Sequence, residues 1–63
     1  MINEILAFKE VKRLVRYGIS KIEAKRIVGE VLSIIDNSNE NTVRYAINYA
    51  VSLTYRIDFS KIV

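Results

Sequence analysis

Apolar side chains recur at three- and four-residue intervals in three blocks of this chain, and each block predicts a helix. In the first, roughly residues 3–17, Ile5, Phe8, Val11 and Val15 share one face, with Leu14 beside them. Lys9, Lys12, Arg13 and Arg16 follow the same spacing on the opposite face. That is the pattern of an amphipathic helix. Gly18 then stops it, because glycine tolerates the left-handed backbone that a C-terminal cap needs. The second block, about 21–36, opens on Ser20 and Glu23, an S-x-x-E capping box. Ala24, Ile27, Val28, Val31 and Ile35 form its buried stripe. Gly29 lies inside this helix, either as a tolerated surface glycine or as a point where a neighbouring backbone comes close.

Asn37, Ser38 and Asn39 make a clear loop, being three turn formers in a row. Ser38 or Asn39 then caps a third helix, about 40–57, with Glu40 well placed in its first turn. Val43, Ala46, Ile47, Ala50, Leu53, Thr54 and Ile57 make its apolar stripe, and the small Ala46 and Ala50 admit a close neighbour. The short C-terminal tail alternates apolar and polar residues from Tyr55 to Phe59, so helix end, extended arm and short strand all remain open. Phe59, Ile62 and Val63 are apolar enough to pack on the core or on a second subunit. Many of these apolar residues are β-branched, but periodicity and capping outweigh that propensity. The expected fold is all-α, a small three-helix bundle in one domain, residues 1–63.

Composition narrows the chemistry. Leu, Ile, Val and Phe supply 23 of 63 residues, enough for a core. Cys and His are both absent, which removes disulfides, thiolate and imidazole metal sites and the usual general base at neutral pH. The carboxylates Glu4, Glu10, Glu30, Asp36 and Asp58 sit among polar neighbours and read as solvated, while Glu23 and Glu40 have capping roles. A catalytic pair would need two carboxylates converging in a cleft. We therefore expect no enzyme activity, no cofactor and no metal. No apolar run approaches the ~20 residues of a membrane span, and no signal peptide is evident, so a cytoplasmic protein without membrane contact is expected. The formal charge of +3 permits nucleic acid or an acidic protein surface as partner.

The stretch from Leu14 to Val28 carries the most information. Leu14, Tyr17, Gly18, Ile19, Ala24, Ile27 and Val28 fill the positions of the ubiquitin-associated (UBA-like) three-helix domain, and Asn41, Val43, Ala46 and Ile47 continue its third helix. Over about Leu14 to Ala50 the chain resembles that class. The C-terminal domain of Holliday-junction branch-migration subunits (RuvA) carries a similar run. Tyr17-Gly18-Ile19 stands where ubiquitin binders favour Met-Gly-Phe. The resemblance implies a module that docks on another protein, often within nucleic-acid machinery, through Tyr17, Ile19, Tyr49 and Leu53. Alternatively, Tyr17 and Ile19 close the core.

The same stretch also fits a helix-turn-helix. Lys21, Lys25 and Arg26 would then reach bases or phosphates, and Lys9, Lys12, Arg13 and Arg16 would neutralise the backbone. Arg13 and Leu14 depart from the small and apolar residues that motif favours there. A small inhibitor or adaptor is a third possibility. Tyr45 and Tyr49, with Arg44, Asn48 and Arg56 nearby, have the composition of an interface hot spot or of a base-stacking surface; alternatively they pack on helix 1 or the tail. A homodimer through helix 3 or the tail follows if both faces of that helix are used.

Overall fold

A computed structural model of the chain describes residues 3–55. Within them three helices follow one another: α1 (Glu4–Arg16), α2 (Lys21–Ile34) and α3 (Glu40–Tyr55). No strand occurs among the described residues, and no helix is long and apolar enough to cross a membrane. The C-terminal tail, Arg56 and Ile57 included, lies outside the described residues.

α1 starts at Asn3, whose side-chain oxygen accepts the Leu6 N–H at 3.1 Å. Glu4 in the first turn and Arg13 and Arg16 in the last oppose the ends of the helix dipole. The C-terminus closes as a Schellman motif. The Ile19 N–H reaches back to the Leu14 carbonyl and the Gly18 N–H to that of Val15, with Gly18 at φ 91°. Leu14 and Ile19, the two residues that this motif brings together, are both buried.

α2 is capped by Ser20, whose hydroxyl oxygen accepts the Glu23 N–H at 3.2 Å. The carboxylate half of the expected capping box is diverted, because Glu23 binds Arg26 and the Tyr55 hydroxyl. α2 ends at Ile34, short of the expected Asp36. Ile35 is extended, and the Asn37 side-chain amide donates to the Leu32 and Ile35 carbonyls, each at 2.9 Å. The Asn37 side-chain oxygen in turn accepts the Asn3 N–H at 3.0 Å. One loop side chain thus ties the start of α1 to the end of α2. Asn39 caps α3 through the Thr42 N–H, whereas Ser38 turns back onto Asp36.

The core is Leu6, Leu14, Ile19, Ala24, Ile27, Val28, Val31, Leu32, Val43, Ile47 and Val51. α2 contributes Ala24, Ile27, Val28 and Val31 as its periodicity predicts, plus Leu32; Ile35 is half-buried beyond the helix end.

α1 turns a different face inward from the one its periodicity favours. Leu6, Glu10 and Leu14 are buried, while Ile5, Phe8 and Val15 are exposed and Val11 is half-buried. The charge in the middle of that stripe conceals it from a hydropathy reading. Glu10 is fully buried rather than solvated. Its carboxylate takes two hydrogen bonds from Arg13, the shorter at 2.7 Å, and an ion pair from Arg44 on α3 at 3.5 Å. Buried charge is tolerable only when paired in this way. α3 likewise buries Val43, Ile47 and Val51, and leaves Leu53 and Thr54 exposed. Leu53 falls on the same outer face as Tyr45 and Tyr49.

Two predictions follow from this packing. Nothing lies within 4 Å of a Cβ built at either glycine, but only Gly18 has positive φ. Among the described residues, then, no neighbouring backbone comes close to Gly29. Gly18→Ala is expected to destabilise by about 1–2 kcal/mol, and Gly29→Ala to stabilise by about 0.5–1 kcal/mol, in urea titrations. Glu10→Gln keeps the shape and removes the charge, and should cost about 1–3 kcal/mol in the same assay; an unchanged midpoint would remove Glu10 from the stabilising interactions.

Candidate functional site

Because α1 buries Leu6, Glu10 and Leu14, its other apolar face is left to line a groove against α2. Phe8, Val11 and Val15 from α1 and Val28 and Gly29 from α2 form the apolar lining, with Ala7. Lys12 and Arg16 stand on the α1 side and Lys21 and Lys25 on the α2 side. Glu4 is the groove's acidic residue. The space is about 970 Å³ and open to solvent. Phe8 keeps 63% of its surface exposed and Val15 44%, so among the described residues none fills this lining. Lys12 lies over the Phe8 ring, 5.3 Å from its centroid. Arg16, Lys21 and Lys25 make no ion pair among the described residues.

Lys12 and Arg16 also border a second, smaller hollow. Lys9, Arg13 and, from α3, Arg44 complete its lining. Two carboxylates neutralise part of it. Lys9 meets Glu40 at 2.7 Å, and both Arg13 and Arg44 are drawn to the buried Glu10. The cations expected along α1 lie together, but beside its apolar residues rather than on the opposite face, since Lys12 and Arg16 line the groove with Phe8 and Val15; Lys9 and Arg13 are occupied, and Arg44 joins from another helix. Sequence spacing could not have found Arg44, because 34 residues separate it from Glu10.

The remaining expected site residues separate. Ile19 is only 4% exposed and belongs to the core, so it cannot form part of a docking surface as its place beside Gly18 suggested. Tyr17 is half-buried against the same core, with the Arg13 guanidinium 5.9 Å from its ring centroid. Tyr49 and Leu53 are exposed on the outer face of α3. Lys21 and Lys25 are exposed at the start of α2, where a recognition helix would carry its contacts. Arg26 beside them is clamped by Glu23 and Glu30 at 2.9 and 3.1 Å. The contacts to Glu23 and Glu30 hold its guanidinium more firmly protonated than usual. That leaves Arg26 poorly placed for a phosphate, because reaching one would forfeit two carboxylates.

The acidic groups take structural partners. Arg26 holds the Glu23 carboxyl below its ordinary value, and Lys9 does the same for Glu40. The Ser38 backbone N–H, followed by its hydroxyl, lowers Asp36. Removal from solvent, then the Glu23 charge, raises the Tyr55 phenol. No group of three metal-type side chains gathers among the described residues. No family model, curated protein or solved structure matches the chain.

These carboxyls set an acid limit. A depressed folded-state value stabilises above the unfolded value and is lost as pH falls through the folded one. The thermal midpoint should therefore be flat near neutrality and decline below about pH 4.5, the ordinary glutamate value. Lys9→Met should reduce the Glu40 share of that decline; an identical acid profile would show that the pair is immaterial.

Proposed function

We propose that this chain is a non-catalytic protein-interaction module that holds an acidic, amphipathic helical segment of a partner in the groove between α1 and α2. One observation carries the reading: Phe8 and Val15 remain exposed in an apolar groove flanked on both sides by cations. Exposed apolar patches with polar rims mark interaction sites, and helix-in-groove recognition uses apolar anchors at helical spacing. Burying a side chain such as Phe8 supplies about 1.5–3 kcal/mol. Lys12, Arg16, Lys21 and Lys25 would add steering and orientation by meeting carboxylates on the segment's flanks. The resemblance to UBA-like domains agrees with a docking role and adds the expectation that the partner belongs to nucleic-acid processing. Here, though, the docking contacts come from α1 and α2 rather than from the Gly18 turn.

A second reading has its own observation. The hollow lined by Lys9, Lys12, Arg13, Arg16 and Arg44 has the charge to meet a phosphate backbone. Duplex DNA would then lie across α1 and α3, unlike a helix-turn-helix, whose contacts are led by α2. The occupied state of Lys9 and Arg13 places this reading second. An inhibitor or adaptor would use the same groove.

Fluorescence anisotropy separates these readings. The probes are a labelled helical peptide with leucines along one face and glutamates beside them, its lysine-flanked counterpart, and a labelled DNA duplex. The acidic peptide should bind and the basic one should not. Phe8→Ala and Lys12→Glu with Lys25→Glu should each weaken binding about tenfold or more, with helicity intact. Tight, strongly salt-dependent duplex binding that ignores Phe8→Ala would favour DNA. Failure of the acidic peptide to bind the unaltered chain would end the leading proposal.

A further inference from the structure

The outer face of α3 takes no part in the groove. Its inner face is filled by Val43, Ile47 and Val51, each fully buried. On the outer face Tyr45, Tyr49 and Leu53 follow one another at four-residue spacing and stay 75%, 61% and 67% exposed. Residues at that spacing are neighbours on a helix surface, so the three form one continuous stripe. Ala46 and Ala50, both half-buried, lie next to it and leave room for a close approach. The stripe is also uncharged: from Tyr45 to Tyr55 the helix carries no Lys, Arg, Asp or Glu.

Charge decides what can cover this stripe. The chain carries a net +3, and the apolar groove between α1 and α2 is flanked by cations. A second copy brought to that groove would meet its own sign of charge. The α3 stripe presents no such opposition, while two tyrosine hydroxyls at its surface can still be satisfied at a wet interface. It is also symmetric about Tyr49, with one large side chain four residues to either side. A two-fold contact asks that a patch be complementary to itself, and this spacing lets the stripe meet its own copy with a large side chain opposite a large side chain.

We infer that α3 is a homodimer interface, with two copies crossing antiparallel through Tyr45, Tyr49 and Leu53. Tyr49 sits at the two-fold axis against the partner's Tyr49. Tyr45 packs against the partner's Leu53, and Leu53 against the partner's Tyr45. A single helix pair is a small interface, so a weak, concentration-dependent association is expected. Pairing on α3 leaves the α1–α2 groove of each copy open, so the dimer would offer two docking grooves.

Sedimentation equilibrium of the full chain tests this. The expected result is a monomer–dimer equilibrium within the micromolar range. Tyr49→Arg and Tyr49→Glu should each abolish the dimer, since each places two like charges together at the axis. An equimolar mixture of the two variants should restore it, since opposite charges then meet there; a purely structural role for Tyr49 would not produce that rescue. Circular dichroism of each variant checks the helices. If either loses helicity, Leu53→Lys and Tyr45→Glu, alone and mixed, repeat the test at the flanking contact. A chain that stays monomeric at high micromolar concentration overturns the proposal. So does a dimer that survives these substitutions, or one that breaks with Lys12→Glu and Lys25→Glu instead.

Discussion

Two-sided burial of α2 is the constraint on which the rest depends. Ala24, Ile27, Val28, Val31 and Leu32 are all buried, and α1 and α3 both pack against this one helix. A 63-residue chain without cysteine, and so without a disulfide, has little apolar surface, so nearly every large apolar side chain that faces inward is needed there. The caps serve that packing. The Schellman turn at Gly18 sets how α1 returns onto α2, and Asn37 locks the opposite end by bonding α2's last carbonyls and the N–H of Asn3.

The contact between α1 and α3 is of another kind. Charged pairs span it: Glu10 with Arg44 and Lys9 with Glu40. Burying Glu10 costs solvation, which Arg13 and Arg44 offset, and it carries a consequence for the surface. With Glu10 inward, α1 points Leu6 and Leu14 at the core and turns Phe8 and Val15 to the groove. The buried carboxylate and the exposed apolar groove are two results of the same rotation of one helix.

Much of this was legible in the chain. Three helical blocks, the Ser20 cap, the Gly18 stop and the core stripe of α2 follow from spacing and side-chain chemistry, and each is present. The inward face of α1 was not legible, because a hydropathy pattern scores a glutamate as outward and cannot see an arginine 34 residues away that makes burial tolerable. The same limit hid the groove, since its lining was counted as core. Leu53 fitted two faces equally well by period, and Ile19 was open to two readings, docking residue or core closure, of which the structure shows the second.

The sequence by itself determined the number, order and approximate ends of the helices, because those depend on neighbours within a few residues: caps, turn formers and the 3.6-residue period. The tertiary structure alone decided which face of α1 is buried, which cations are occupied and where apolar surface is left over. Those outcomes depend on side chains brought together from distant positions, and the energy of a buried charge is fixed by partners that local spacing does not contain.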